Sequence, residues 1–242
     1  MKLFLINLDR DKERFAFVDG QLKRLNVDYE RVSGVDAKLL TQAERAKAFS
    51  PFRWWCAMGR PVADGEIGCA LSHYAIYRRM AKDETLAYCC ILEDDVELSS
   101  QLTSTLCAVK HWIDPQKPQV VILNDHQHKY GNLPSGIHRS RFGGTCTDGY
   151  VLTRTAAQNL LRANLPIIVP CDTWGRWVRQ GWIELYHAVP AVVRQKQDVF
   201  GSSTDVNRVN VSKLSLTKWF LYKAKRTVGK ALDTCLSKVT GR

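Results

Sequence analysis

The segment that most constrains this fold is a short apolar run that ends in a cluster of acidic residues. Residues 89–92 (CCIL) are apolar, and Glu93, Asp94 and Asp95 follow at once, with Glu97 close behind. A short apolar run after a polar turn predicts a buried strand of a parallel sheet. Because parallel sheets bind ligands at the carboxyl ends of their strands, we expect these carboxylates to lie at such an end.

The acidic cluster itself has two interpretations. Adjacent carboxylates repel one another unless a proton or a cation lies between them. Hard oxygen ligands of this kind suit Mn²⁺ or Mg²⁺, whose coordination substrate phosphates complete. A solvated acidic loop after a strand is the alternative, because such loops are common. The segment on its own leaves both interpretations open.

The first residues predict the opening unit of an α/β sheet. Residues 3–8 form an apolar, β-rich run, the residues up to about Leu25 place apolar side chains at helical spacing, and residues 29–32 resemble a second strand. A strand, a helix and a strand within so short a stretch predict a βαβ unit. Arg10 and Arg14 follow the first strand as candidate phosphate ligands, with solvated helix charges as the alternative. A length of 242 residues suits one large α/β domain, or a domain with an appendage.

Two further segments carry candidate ligand-binding residues. Residues 64–80 predict an amphipathic helix with Asp64 as its N-cap, and this helix contains His73. A single histidine in such a helix is more often a satisfied core residue than a functional one. Residues 52–60 combine aromatic and basic side chains, which favours either a stacking surface for a sugar or base or a loop packed on the domain.

The cysteines and the N-terminal residues favour a reducing cytosol. The chain has eight cysteines, and no pair has the Cys-x-x-Cys spacing of a zinc site. The first residues lack the basic-then-apolar pattern of a signal peptide. No apolar run approaches the ~20 residues that a membrane-spanning helix needs. We therefore expect free thiols and a cytoplasmic location.

Residues 212–242 differ in composition from the rest and predict a basic amphipathic tail after a domain at residues 1–211. The net charge of the chain is +11, and most of it lies in this tail, where Asp233 is the single acidic residue. Trp219, Phe220 and several leucines alternate with lysines and arginines, which favours a helix lying on an anionic membrane surface. Nucleic acid is the competing partner, but no nucleic-acid motif is present and the leucines favour lipid. We expect a peripheral protein on the inner face of the cytoplasmic membrane.

Four stretches, taken in order, resemble the bacterial lipooligosaccharide galactosyltransferases of glycosyltransferase family 25. The second and third are the specific ones, and a fifth stretch with Pro170, Asp172 and Trp174 fits less specifically. The resemblance covers about residues 2–203 and leaves the tail outside. The four stretches are residues 6–10 (INLDR) with Arg14, residues 65–69 (GEIGC) with residues 71–73 (LSH), residues 91–96 (ILEDDV), and residues 144–145 (GT) with residues 149–152 (GYVL).

This resemblance implies a GT-A-type nucleotide-sugar fold, which is a Rossmann-like, mixed and mainly parallel sheet flanked by helices. It implies metal-dependent, inverting transfer of galactose or a related hexose from a UDP-sugar to a lipooligosaccharide or lipopolysaccharide glycan. By resemblance, the acidic motif holds Mn²⁺ or Mg²⁺. Because the motif is Glu-Asp-Asp rather than Asp-x-Asp, we expect Asp95 and then Glu93 as metal ligands, with Asp94 facing the sugar.

The remaining site residues are assigned by the same resemblance. An inverting reaction needs a carboxylate to deprotonate the acceptor hydroxyl, and Asp172 is the candidate, with Asp148 and Glu184 as rivals. His187 or Gln195 is a candidate for a further metal contact. The expected donor-binding residues, besides Asp94, are Asn7, Asp9, Arg10, Gly65, Glu66, Ser72 and His73.

Two other classes of function fit parts of this pattern. A Mg²⁺-dependent phosphohydrolase or nucleotidyltransferase would use the same carboxylates at a strand end. A non-enzymatic basic module would bind anionic polymers, and its acidic cluster would be structural. The four stretches quoted above argue against both.

Overall fold

The computed structural model describes residues 1–124, 133–140, 143–196, 227–229, 231–232 and 234–235. A short 3₁₀ helix at Ala37–Leu39 precedes the second α-helix. The helices and strands, in chain order, are β1 (Lys2–Asn7), α1 (Lys12–Arg24), β2 (Glu30–Ser33), α2 (Gln42–Ala48), α3 (Pro51–Met58), α4 (Asp64–Lys82), β3 (Tyr88–Glu93), β4 (Val96–Leu98), α5 (Leu102–Trp112), β5 (Gln119–Ile122), β6 (Gly136–Arg139), β7 (Gly149–Thr153), α6 (Arg154–Asn164), α7 (Trp174–Arg179), β8 (Glu184–Val189) and β9 (Val193–Gln195).

In the described part of the chain, seven strands form one sheet in the order β2-β1-β3-β7-β5-β8-β6. β1 is parallel to β2 and β3, and β5 is parallel to β8. β7 is antiparallel to β3 and β5, and β6 is antiparallel to β8. Five of these seven strands therefore run in one direction, and only β7 and β6 run in the other. The prediction of a mixed, mainly parallel α/β sheet is confirmed. β4 and β9 form a separate two-stranded antiparallel sheet, which the sequence analysis does not predict.

The sheet separates two apolar cores because alternate residues of a strand point to opposite faces. In β1, Phe4 joins the core on one face, whereas Leu5 joins the core on the other. In β3, Ile91 and Leu92 divide in the same way. The first core contains side chains of α4, α6 and α7, and the second contains side chains of α1 and α5. The sheet is thus covered by helices on both faces.

The predicted βαβ unit is present at β1, α1 and β2. Asp11 is the N-cap residue of α1, although its side chain makes no capping hydrogen bond. The run at residues 89–92 lies within β3, where Cys89, Cys90, Ile91 and Leu92 are fully buried. The prediction of a buried parallel strand that leads into the carboxylates is confirmed.

One local prediction is wrong, and one of the two alternatives for residues 52–60 is excluded, for identifiable reasons. Asp64 is the first residue of α4 rather than its N-cap, which is Ala63. The backbone N–H of Ala63 donates to the Glu66 carboxylate at 3.0 Å, so Glu66 supplies the capping contact. Pro51 occupies the first turn of α3, where its missing N–H costs nothing, so the segment after it is a helix and not a loop.

Most of the predicted tail, residues 212–242, lies outside the described residues, as do residues 197–211. Residues 227–229 are helical, and Gly229 lies so close to α3 that an added Cβ would overlap the carbonyl oxygen of Cys56. Among the described helices, none is both long enough and apolar enough to cross a bilayer.

Candidate functional site

A cavity of about 300 Å³ opens at the carboxyl ends of β1, β2 and β3. The first half of α4 forms the wall opposite these strand ends, and the segment between β2 and α2 forms the rim. The cavity is lined by Ile6, Asn7, Leu8, Arg10, Asp11, Arg14, Gly34, Val35, Asp36, Ala37, Lys38, Asp64, Gly65, Gly68, Cys69, Ser72, His73, Glu93, Asp94, Asp95 and Gln195. This is the position that the parallel-sheet argument predicts for a ligand site.

All three carboxylates that follow the apolar part of β3 line this cavity. Asp94 and Asp95 are nearly buried, at 7% and 6% exposure. The Arg14 guanidinium lies between them, with Nη1 at 3.5 Å from Asp94 Oδ1 and 3.7 Å from Asp95 Oδ2. Arg14 therefore neutralises part of the negative charge from α1, the helix that follows β1.

The Asp95 carboxylate has a strongly raised pKa. Burial, and next the negative charge of Glu93, raise the pKa of Asp95 from its ordinary 3.8 to about 7. Gln195 Nε2 donates to Asp95 Oδ2 at 3.2 Å, but the buried Oδ1 atom has no hydrogen-bond partner among the described residues. Burial likewise raises the pKa of Asp94. A buried carboxylate oxygen without a donor is a position where a cation fits.

Glu93 faces a chain of buried hydrogen bonds behind the cavity wall. His73 Nε2 lies 3.1 Å from Glu93 Oε1, and His73 Nδ1 lies 2.7 Å from the Tyr150 hydroxyl. The Tyr150 hydroxyl is 2.6 Å from that of Tyr77, and Thr147 Oγ1 donates to Glu93 Oε1 at 2.6 Å. Burial acts to lower the pKa of His73, but contacts with Cys69 and Glu93 outweigh it and raise the value to about 9.

Asn7 connects the ends of the first three parallel strands. Its Nδ2 donates to Asp94 Oδ2 at 2.7 Å and to the backbone carbonyl of Asp11 at 3.0 Å. Its Oδ1 accepts from Arg31 of β2 at 2.7 and 2.9 Å. Asn7 is thus a positioning residue, which holds the Asp94 carboxylate and is itself held by Arg31.

Ser72 and Gly68 hold the rim of the cavity against α4. Ser72 Oγ accepts the Val35 N–H at 2.8 Å and donates to the Gly68 carbonyl at 2.7 Å. An added Cβ at Gly68 would overlap the Val35 carbonyl oxygen, so only glycine permits this approach. Gly65 lies one turn earlier, at the partly buried start of the same wall.

Three predicted site residues lie outside the cavity lining. Asp9 is exposed and pairs with Arg31 at 2.7 Å and Ser33 at 2.8 Å. Glu66 is buried and forms a two-point ion pair with Arg60 at 2.6 and 2.8 Å. Asp172 follows Cys171 and precedes the N-cap of α7. The roles predicted for these three residues stay predictions.

The alternative candidates for the catalytic base and the two candidates for a further metal contact lie at different positions relative to the cavity. Asp148 is buried and accepts from Asn124, outside the lining. Glu184 is the first residue of β8, so it lies at the amino end of that strand, whereas the cavity lies at the carboxyl ends of the parallel strands. Gln195 lines the cavity beside Asp95, whereas His187, on β8, does not. Position therefore favours Gln195 over His187 for a contact near the carboxylates.

The structure adds lining residues that sequence reasoning does not single out. Asp36 and Lys38 reach the rim from the 3₁₀ turn after β2, and Arg10 forms an ion pair with Asp36. The turn residues at 33–36 are the only sequence signal for this rim. Thr147 and Cys171 come from distant segments and contact Cys69, at 3.7 and 3.5 Å. No local spacing could indicate that contact.

Comparison with known proteins gives a consistent result. The model of glycosyltransferase family 25, described as an LPS biosynthesis protein, matches residues 1–174. Human procollagen galactosyltransferase 2 is 28% identical over 189 residues, which are 67% of this chain and 28% of that protein. Procollagen galactosyltransferase 1-A of Xenopus laevis is 29% identical over 124 residues, which are 48% of this chain and 19% of that protein.

An insect relative has higher identity over a shorter stretch. A glycosyltransferase 25 family member of Drosophila pseudoobscura pseudoobscura is 37% identical over 98 residues, which are 39% of this chain and 15% of that protein. The chain spans less than a third of the length of each of these three relatives.

Proposed function

Because the chain belongs to glycosyltransferase family 25, we propose that it transfers galactose or a related hexose from a UDP-sugar to a lipooligosaccharide or lipopolysaccharide glycan. The observation that carries this proposal is the cavity at the carboxyl ends of the parallel strands, with Glu93, Asp94 and Asp95 in its lining. The names of the relatives support galactose, and the family description supports the acceptor. Family membership argues against the phosphohydrolase and the binding module.

The carboxylates fit a divalent ion. Asp95 would be its principal ligand, because its Oδ1 is buried and receives no hydrogen bond from the part of the chain that the structure describes. Glu93 and Asp94 lie next to it in the same lining. Mn²⁺ or Mg²⁺ bound there would stabilise the negative charge of the departing diphosphate.

The chain's own residues orient the donor around this position. Asn7 and Arg14 hold the Asp94 carboxylate in place from β1 and α1. Arg10 and Lys38 place positive charge at the rim, where the phosphates of a nucleotide would meet them. The wall of α4 excludes water from the opposite side. Asp172 remains our candidate for the base that deprotonates the acceptor hydroxyl.

Thermal unfolding with a panel of nucleotide sugars, with and without Mn²⁺, tests the donor class. UDP-galactose plus Mn²⁺ is expected to stabilise the protein by about 2.7 kcal/mol at a hundredfold excess over its dissociation constant. UDP-sugar without the metal is expected to give a much smaller shift. A folded sample that responds to no UDP-sugar would contradict the proposal.

We also propose that the tail lies on the anionic inner face of the cytoplasmic membrane. Gly229 approaches α3 closely, and on this helix the side chains of Phe52 and Trp55 are 62% and 41% exposed. Val228 and Leu232 of the tail are 59% and 44% exposed. These apolar side chains, together with the basic residues of the tail sequence, support a surface suited to lipid headgroups and the outer acyl region.

Reversing the charge of Lys223, Lys225 and Arg226 tests this membrane proposal. Each basic residue near an anionic surface is worth about 1 kcal/mol, so vesicle binding is expected to fall by two orders of magnitude or more. The measurement is co-sedimentation with vesicles that contain an anionic lipid, at low and high salt. Reversal of Lys12 and Lys23 on α1 is the matched control. Unchanged partitioning of the tail variant would exclude the lipid surface.

A further inference from the structure

Four side chains from three separate segments converge at the wall of the cavity, and all of them except Cys171 belong to its lining. Cys69 and His73 lie one turn apart on α4, Glu93 ends β3, and Cys171 precedes α7. Cys69 Sγ lies 3.5 Å from Cys171 Sγ and 4.0 Å from Glu93 Oε1, and His73 Nε2 lies 3.1 Å from the same oxygen. The ligand atoms of Cys69, His73 and Cys171 all lie within 4.8 Å of one another.

These separations resemble the edges of a tetrahedral metal site. With Zn–S bonds of about 2.3 Å and Zn–N bonds of about 2.0 Å, tetrahedral geometry places two sulfurs about 3.8 Å apart. It places nitrogen and oxygen ligands about 3.3 Å apart. The observed sulfur–sulfur distance of 3.5 Å and nitrogen–oxygen distance of 3.1 Å are close to these values, whereas the 4.0 Å between Cys69 Sγ and Glu93 Oε1 is longer than a tetrahedral sulfur–oxygen edge of about 3.6 Å. We propose that Cys69, His73 and Cys171 form the core of a zinc site beside the donor cavity, with Glu93, at the edge of this cluster, as the fourth ligand.

The surroundings of His73 and Glu93 match those of known metal ligands. A metal-bound histidine usually donates its other ring N–H to a fixed partner. With Nε2 directed at the cluster, Nδ1 carries the proton and donates to the Tyr150 hydroxyl at 2.7 Å, which in turn donates to Tyr77. Thr147 fixes Glu93 Oε1 by a hydrogen bond of 2.6 Å. Both ligands are therefore already oriented.

The donor set selects the class of ion. Two thiolates and an imidazole favour Zn²⁺ or another borderline or soft ion over Mn²⁺ and Mg²⁺, which prefer oxygen. On binding, Cys69 and Cys171 each lose a proton to solvent, and a protonated His73 also loses the proton on Nε2, so the ion replaces two thiol protons and one imidazolium proton. The nearby carboxylates then divide between two sites, because Glu93 serves the zinc and Asp95 remains for the hard cation of the donor site.

The decisive measurement is the absorption spectrum of the full chain loaded with Co²⁺, a coloured substitute for Zn²⁺. The background is a Cys107→Ser, Cys235→Ser variant, which lacks two exposed thiols outside the cluster. We expect one tetrahedral, thiolate-bound Co²⁺ per chain, seen as thiolate-to-cobalt charge transfer and intense tetrahedral bands, whether or not a further Co²⁺ binds at the oxygen site of Asp95. Zn²⁺ is expected to displace this Co²⁺ and to remove both spectral features. Cys69→Ala and Cys171→Ala are each expected to lose these bands while retaining the near-ultraviolet circular dichroism of the parent.

X-ray absorption of the Zn²⁺-loaded parent protein gives a readout that needs no further substitution. The expected shell contains two sulfurs and two nitrogen or oxygen ligands. A shell without sulfur, an absence of tetrahedral cobalt bands, or bands retained in both alanine variants would each overturn the proposal. These measurements detect ion binding alone, so a negative result would contradict the zinc site and leave the sugar-transfer proposal untouched. The sugar-transfer proposal is tested separately, by the UDP-sugar assay.

Discussion

Asp95→Asn is expected to abolish the Mn²⁺-dependent stabilisation by a UDP-sugar and to lower transferase activity by about a hundredfold or more. A metal ion contributes several kcal/mol to stabilising transition-state charge, and each 1.4 kcal/mol or so is a factor of about ten in rate. Asparagine preserves the shape of the side chain but removes the charge and one of the two carboxylate oxygens. Thermal unfolding and a UDP-release assay measure the two effects.

The same substitution is expected to stabilise the metal-free protein at high pH. Asp95 has an ordinary pKa of 3.8 and a folded value of about 7, so the folded state binds a proton that the unfolded state releases. Wild-type stability therefore falls as pH rises from about 4 to about 7 and is level above that range. The variant lacks this fall, which is about 4 kcal/mol for a shift of about three pKa units. The buried asparagine amide offsets about 1–3 kcal/mol of it, so at pH 8 the variant is expected to be more stable by on the order of 2 kcal/mol.

Glu97→Gln is the matched control for Asp95→Asn. Glu97 belongs to the same acidic segment, but it is exposed and lies outside the cavity lining. Its replacement is expected to leave two properties as they are in the wild type: the Mn²⁺-dependent stabilisation by a UDP-sugar (the donor shift) and the pH dependence of the free energy of unfolding. Equal loss of the donor shift in both variants would show that general negative charge, and not the Asp95 position, carries the effect.

Gly68→Ala is expected to destabilise the protein by about 3 kcal/mol and to weaken donor binding in the molecules that remain folded. The added methyl group would overlap the backbone carbonyl of Val35, which is held in place by the hydrogen bond from Val35 N–H to Ser72. Backbone atoms cannot rotate away as a flexible side chain can, so α4 and the rim must separate. Urea unfolding and donor titration measure the two consequences.

Gly20→Ala controls for the general effect of replacing a helical glycine. Gly20 lies in α1, where the nearest atom to an added Cβ is the Arg24 Nη1 at 3.6 Å, which is ordinary contact. This variant is expected to gain about 0.5–1 kcal/mol from the lower flexibility of its unfolded chain. If Gly68→Ala were as stable as Gly20→Ala, the close packing of the rim against α4 would be contradicted.

The sequence predicts those parts of the site that local patterns control. The apolar residues of β3 and the carboxylates after them are adjacent in the chain, so strand burial and sheet topology place them together. The small residue at position 68 and the hydroxyl at position 72 lie one helical turn apart on one face of α4, so they reach the rim together. The donor-binding, metal-binding and catalytic roles of these residues stay predictions.

Contacts between distant segments could not be predicted in the same way. Cys69 and Cys171 are 102 positions apart, and their meeting depends on how α7 packs against α4. Glu66 belongs to a motif with a predicted donor-binding role, and the structure shows its carboxylate in contact with Arg60 and with the backbone N–H of Ala63, contacts that the motif does not indicate. Which face of a helix a motif residue presents to the cavity is decided by packing, and packing is absent from a single sequence.

The position of β7 between β3 and β5 has a consequence for synthesis on the ribosome. β1, β2 and β3 are made first, and β3 then has one unpaired edge until residues 149–153 emerge. That edge belongs to the most apolar strand of the sheet, which is the kind of edge that pairs with other chains. Nascent chains halted between β3 and β7 are therefore expected to depend on a chaperone, whereas chains released after β7 are expected to depend on it less.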